Sequence, residues 1–300
     1  MSIAEIIDAH HHLWDLRAVR YPWLTQRASS EGFAGDVSPL QHDYLVSDFL
    51  ADSGSSCVVR SVHVQAESDH SDPVAETRWL QSVADAHGFP HGIVAYAALE
   101  SKDVDEVLAA HCQFRNMRGI RQMLNWSNDP SLNQAERADF MTDPSWRSGF
   151  ALLDGYGLSF DMQIYPSQAI DAAALADAFP ETSIIVDHTG MPAVRDQAGL
   201  EAWRQGLREL ARRPNVAMKI SGLGMFDHHW TTDSVRPFIL ETIEIFGPDR
   251  CMFASNFPVD RLYSSYEVLV QTFREAIAGF TPHEQALLLR DNAARLYRLN

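Results

Sequence analysis

The strongest constraint on what this chain can fold into is a repeat of pattern rather than of residues. Short runs of β-branched and apolar residues are followed, eight times, by longer stretches with helical spacing. The strand-like runs are IAEIIDAH (3–10), CVVRSVHVQ (57–65), GIVAYAAL (92–99), MRGIRQML (117–124), LSFDMQIY (158–165), TSIIVDH (182–188), NVAMKIS (215–221) and CMFASN (251–256). Helix-like segments lie near 44–53, 73–88, 103–113, 144–155, 167–179, 198–212, 232–246 and 266–278. The 73–88 segment opens on Pro73 and stops at Gly88, the asymmetry that helices favour. Eight β-then-α units in 300 residues predict an α/β fold of the (β/α)8 TIM-barrel type, in one domain over 1–300. PHEQALLLRDNAARLYRL (282–299) adds an extra C-terminal helix. A doubly wound open sheet is the runner-up, but it usually carries a Gly-rich turn after its first strand, and here HHHLW stands there. The connection 17–43 is long and, with its flank, aromatic (Tyr21, Trp23, Phe33, Tyr44), as expected of a loop that covers a site.

In such a barrel, chemistry sits where strands end and loops begin. Strand one ends Asp8, His10, His12, and alternation at period two turns these three one way and His11 the other. Strand two ends His63, Gln65 and Glu67. Strand four offers Arg118, Arg121 and Gln122. Strand five offers Asp161, Gln163 and Tyr165. Strands six and seven end Asp187-His188 and Lys219–Ser221, and strand eight ends Ser255-Asn256 with Asp260 following. Burying so many polar groups costs several kcal/mol each unless they are paired or bind something. The ring of them is the argument for a site. His10 and His12, about 6–7 Å apart at the backbone, can converge on a divalent metal or on one substrate oxygen.

Of the two arginines, one should point inward and bind a substrate carboxylate bidentately, or else pair with Asp161 or Asp187. Gln65 and Gln163 are neutral donors suited to sugar hydroxyls or to a core network. His63 joins them at the strand-two end. Lys219 is a second candidate anion anchor. Trp14, with Tyr21 and Trp23, could floor a sugar ring or simply pack.

Charge narrows the partners. With 24 Lys and Arg against 40 Asp and Glu, the formal net charge is −16. That argues against a nucleic-acid groove and against docking on an anionic membrane. The N-terminus MSIAEIIDA has no basic region before a long apolar run, so no secretory signal is expected. Cys57, Cys112 and Cys251 are odd in number and far apart, which suits reduced thiols in a cytoplasmic protein, monomeric or homo-oligomeric.

IDAHHHLWD with YPWL after it, then HVQAE, MRGIRQ, IVDHTGMP, NVAMKISGL, FASNFPVD and NAARLYRL, together resemble the amidohydrolase superfamily. The branch is the amidohydrolase-2, or amidohydrolase-related, hydrolases that include sugar lactonases and the 2-pyrone-4,6-dicarboxylate lactonase. The likeness covers essentially the whole chain. It implies a hydrolase that opens a small sugar-acid or dicarboxylate lactone by water attack on the ester carbonyl. His10 and His12 match the family's HxH, and His188 matches its strand-six histidine. The family's strand-eight Asp stands in a Ser-Asp-aromatic-Pro motif that reads Ser255-Asn256-Phe257-Pro258 here. A neutral amide cannot serve as the base, so Asp260 is expected to take that role, with Asp187, Glu67 or a reaction that needs less base help as alternatives. The bridging lysine that binuclear members carry on strand four is missing, which argues against a two-metal centre. The resemblance leaves no cofactor, or else a single Zn²⁺ on His10, His12 and His188. Other outcomes open to the same residues are a zinc-dependent decarboxylase or hydratase, a lactone isomerase, or a non-catalytic organic-acid-binding protein. Asn256 is the feature that keeps the last of these open.

Overall fold

The computed structural model describes residues 4–25 and 34–299; Phe33 of the aromatic connection lies outside them. Eight strands form one sheet in sequence order: β1 Ile6–His11, β2 Val58–Val64, β3 Gly92–Ala95, β4 Met117–Met123, β5 Ser159–Gln163, β6 Ile184–Val186, β7 Val216–Ile220 and β8 Cys251–Phe253. Every neighbouring pair from β1 to β8 is parallel. The last edge meets the first just past β8. There Asn256 N donates to His10 O at 2.7 Å and His12 N to Phe257 O at 2.7 Å. The sequence therefore closes its barrel with residues already singled out as site candidates.

Each strand is followed by a helix: α1 Val46–Ser53, α2 Ala75–His87, α3 Val104–His111, α4 Pro144–Phe150, α5 Ala169–Ala178, α6 Gln197–Ala211, α7 Thr232–Phe246 and α8 Tyr266–Ala276. Local chemistry sets their ends. The Asp196 carboxylate accepts from Gly199 N at 2.7 Å to open α6, and Ser265 Oγ caps α8 through Val268 N. Gly88, at φ 79°, ends α2 in the left-handed conformation that glycine adopts without a Cβ penalty. Apolar residues between ring and helices form the main core, with Trp146, Trp203, Phe160 and Phe246 fully buried in it. Among the described residues no helix is long and apolar enough to cross a membrane.

The C-terminal segment is helical over Pro282–Ala286 and Asn292–Leu296, with a π turn at Leu287–Asp291 between. Its last residues do more than pack outside. Tyr297 and Leu299 enter the lower barrel and pack with Ile7, Ala9, Val62, Ile185, Ala217 and Met252. This plug fixes which residues of β1 face inward. Ile7 and Ala9 line the bottom, so Asp8 points outward, where Tyr266 Oη donates to it at 3.0 Å and Ser255 Oγ at 2.6 Å. A register shift between Asp8 and His11 then resets the alternation. The expectation that Asp8 shares a face with His10 and His12 fails for that reason: a bulge separates them. His11 does face away, stacked on Phe49 at 4.1 Å.

Candidate active site

His10, His12 and His188 meet at the C-terminal end of the barrel. The His10 ring lies 5.0 Å from that of His12 and 4.6 Å from that of His188, centroid to centroid. His188 stands on a strained turn after β6. His188, Thr189 and Met191 take φ values of 53°, 59° and 53°, a region non-glycine residues seldom occupy. Thr189 Oγ1 donates to Ser221 O at 3.1 Å and Trp203 Nε1 to Thr189 O at 2.8 Å, which pins that turn to β7 and α6. Gly222, at φ 65°, makes room for it, since a Cβ there would lie 2.9 Å from the His188 ring.

The imidazoles are neutral at pH 7 for a common reason. Burial pushes His188 down to about 3, and it holds His10 and His12 well below the ordinary histidine range. Their second nitrogens differ in what they face. His12 Nδ1 lies 2.7 Å from Val64 O. A carbonyl only accepts, so Nδ1 carries the proton and Nε2 a lone pair. His188 Nδ1 lies 3.0 Å from Ser221 Oγ, a hydroxyl able to give or take a proton, so either tautomer is served.

Beneath them is a buried ionic network. Lys219 Nζ lies 2.6 Å from Asp161 Oδ2, 3.1 Å from Asp187 Oδ1 and 3.3 Å from His10 Nδ1. Tyr297 Oη reaches both oxygens of Asp161 at 2.9 Å, tying the C-terminal plug to the network. Arg121 is the inward member of its pair: Nη1 donates to Gln163 Oε1 at 3.1 Å and Nη2 to Gln65 O at 2.5 Å, with Asp187 Oδ2 at 3.7 Å. Arg118 instead turns outward and donates to backbone carbonyls of Arg115 and Met117. Burial would raise the Asp187 carboxyl, but Lys219 and His10 outweigh it and hold the group well below its usual range.

Asn256 and Asp260 form a unit at the barrel seam. Asn256, at φ 57°, donates from Nδ2 to Asp260 Oδ2 at 2.6 Å. Asp260 is fully buried, and among the described residues its Oδ1 accepts from no side chain. Burial pushes its carboxyl up to about 7, against hydrogen bonds from the Asn256 side chain and the Gly224 backbone.

Two expected substrate contacts are built into the walls. Trp14 is fully buried against Trp23 and Tyr44, its Nε1 donating to His42 O at 2.7 Å. His63 accepts from Leu13 N at Nδ1 and lies 3.6 Å from Glu76 Oε1 at Nε2. Lys219 and Gln163 are likewise engaged inside the barrel, and Gln65 donates to Glu67 Oε1 at 2.5 Å. Periodicity gives no sign of the Lys219–Asp161–Tyr297 chain. A lysine on β7 and an aspartate on β5, two strands apart and both turned inward, were the available signal.

Residues of this set suit a divalent cation. His10, Asp187 and His188 each offer a ligand atom, all within 4.8 Å of one another. His10 Nε2 and Asp187 Oδ2 are buried and, among the described residues, have no hydrogen-bond partner. Nitrogen and carboxylate donors fit zinc. The tight donor set thus holds Asp187 where the HxH pattern anticipates His12.

The chain is similar to known proteins over its full length. The family described as Amidohydrolase matches residues 7–299. An uncharacterised protein of Sinorhizobium fredii is 46% identical over 299 residues, covering 100% of both chains. An L-fucono-1,5-lactonase of Burkholderia multivorans is 28% identical over 305 aligned positions, covering 98% of this chain and 96% of that protein. A crystal structure of an amidohydrolase from Burkholderia multivorans with bound zinc has a TM-score of 0.83 at 25% identity, covering 99% of this chain and 100% of that one. With the barrel, the HxH strand and the strand-six histidine in place, this chain belongs to the amidohydrolase family.

Proposed function

We propose that this protein opens a small hydroxylated lactone by water attack on the ester carbonyl. The observation that carries the reading is the meeting of three neutral imidazoles at the ends of β1 and β6 in one buried, charge-balanced site. The similarity to L-fucono-1,5-lactonases supports the substrate class. The buried Asp260 carboxylate, whose Oδ1 accepts from no side chain among the described residues, supplies a base.

In this reading Asp260 takes a proton from water as its oxygen bonds to the carbonyl carbon. The oxyanion accepts a hydrogen bond from His188 Nε2, with Ser221 donating to Nδ1. The ring C–O bond then breaks, and the departing alkoxide takes the proton from Asp260. His12, with its lone pair at Nε2, orients the water. Asn256 keeps one carboxylate oxygen of Asp260 fixed and leaves the other for the proton. His10, Asp187 and His188 would alternatively hold a divalent ion; with the His188 lone pair given to it, the ion would stand in for the Nε2 donor and supply Lewis-acid polarisation of the carbonyl.

Charge bears on the substrate. Arg121 already faces Asp187 and two neutral acceptors, so it has little free charge for a second carboxylate. We therefore assign Arg121 to holding the strand-two end and Asp187, with Gln163 as its partner, and favour a neutral sugar lactone over a dicarboxylate.

The pH profile tests the base. A carboxyl at about 7 is protonated below that pH and ionised above it. The imidazoles, held far lower, stay neutral throughout. So kcat/KM on L-fucono-1,5-lactone should rise about tenfold per unit between pH 5 and 7 and level off above. In Asp260→Asn the inflection should vanish and the plateau should fall about 100-fold or more. A wild-type profile flat from pH 5 to 8 would remove Asp260 from the role.

A further inference from the structure

The segments beyond the strand ends are polar on one side of the barrel and apolar on the other. The ends of β5, β6 and β7 place Tyr165, Met191 and Met225 together in an apolar cluster with Leu132 and Phe226. The ends of β2 and β3 carry Glu67, His70 and Tyr96, none of which the lactone-opening steps employ.

Glu67 is held in an unusual way. Its backbone takes φ 55°, at a cost of about 1 kcal/mol for a non-glycine residue. Gln65 grips it twice, donating from Nε2 to Glu67 Oε1 at 2.5 Å and accepting from Glu67 N at 2.7 Å. The same Gln65 offers its carbonyl to Arg121, so this unit is wired to the inner layer of the site. His70 Nε2 lies 3.5 Å from Glu67 Oε2, and the His70 ring stacks on Tyr96 at 3.6 Å with planes 8° apart. Yet the side chains of Glu67 and His70 remain 33% and 45% exposed. A carboxylate so firmly oriented, and still open to solvent, is arranged for something that arrives. Burial raises the Glu67 carboxyl, but hydrogen bonds from His70 and Gln65 and the charge of Arg121 leave it below its ordinary value, hence ionised.

We propose that Glu67, set by Gln65 and His70 beside the Tyr96 ring, is the specificity-determining residue of the site, accepting hydrogen bonds from substrate hydroxyls remote from the reacting carbonyl. An oriented carboxylate next to an imidazole offers both an acceptor and a donor, which two neighbouring hydroxyls satisfy together. The aromatic pair gives the C–H face of a sugar ring a surface. Glu100, which accepts from Gln122 Nε2 at 2.9 Å, and Glu136, whose charge acts on His70 and Tyr96, make this rim acidic. Such a rim repels a carboxylate and accepts a neutral polyol.

This proposal rests on the lactone-opening reading, so its test separates the two. The purified protein is assayed on L-fucono-1,5-lactone and on δ-valerolactone, the same six-membered ring without hydroxyls. The wild type should prefer the hydroxylated ring by at least about 100-fold in kcat/KM. Glu67→Gln should cut that preference by about 10- to 100-fold, the effect of a lost hydrogen bond to a charged group, mostly through a higher KM. It should leave δ-valerolactone within a factor of two. Tyr96→Leu, which removes the stacked surface without touching Glu67, should move the same ratio in the same direction. If Glu67→Gln and Tyr96→Leu lower both substrates equally, the specificity role is overturned while lactone opening stands. If the wild type opens neither ring, the lactone reading falls and takes this one with it.

Discussion

His188→Ala should lose at least about 100-fold in kcat/KM on a sugar lactone, the usual effect of removing one donor to a developing oxyanion. The physical case is local. The imidazole is fully enclosed, neutral, and carried on a left-handed turn that costs free energy to hold. A glycine at 222 gives it space, and Ser221 Oγ, 3.0 Å from Nδ1, holds the ring in place. His188→Gln, which keeps a donor of similar reach, should retain more of the rate than Ala does. A far-UV melt within a few degrees of wild type would show that the fold survives. A rate within a factor of two of wild type would refute the role.

Lys219→Met should be the most destabilising single change in the barrel interior. The lysine shares one ammonium between Asp161 and Asp187, all three fully buried. Methionine matches its length, so the loss is of charge rather than volume. Asp161 is then left without its cation and Asp187 with Arg121 alone, 3.7 Å away, at a cost of about 3–5 kcal/mol. For a chain of this size that corresponds to a fall in Tm on the order of 10 °C. Adding Asp161→Asn should return part of the loss, because the two positions are in contact and their effects do not add. A melt of Lys219→Met within 2 °C of wild type would show that the network is not charged as described.

The barrel was legible because its signal is redundant. Eight short β-branched and apolar runs alternate with amphipathic stretches, and one misread bound would leave the alternation intact. The inward-facing Arg121, His10 and His188 were legible because strand ends are where polar residues have no other reason to gather. Three features were not. The bulge after Asp8 breaks the period-two rule that would put it beside His10, and no residue in DAHHH announces it. The entry of Tyr297 into the barrel is a long-range docking event, invisible to local periodicity, and it creates the Asp161 side of the network. Trp14 and His63 carry polar atoms that the fold satisfies with His42 O, Leu13 N and Glu76. Sequence shows a polar atom at a strand end but not whether protein or ligand meets it. Asn256 is different again. Its mismatch to the family motif was visible, and Asp260 beside it was the expected substitute. The structure brings the two into direct hydrogen bonding.

The most direct measurement is isotope uptake during turnover. The wild-type protein is incubated with L-fucono-1,5-lactone in ¹⁸O-enriched water, and the product is read by mass spectrometry before spontaneous opening contributes. Water attack at the carbonyl predicts one labelled oxygen in the product, located in its carboxylate. An unlabelled carboxylate with label at the released hydroxyl, or a rearranged lactone with no label at all, would contradict the mechanism.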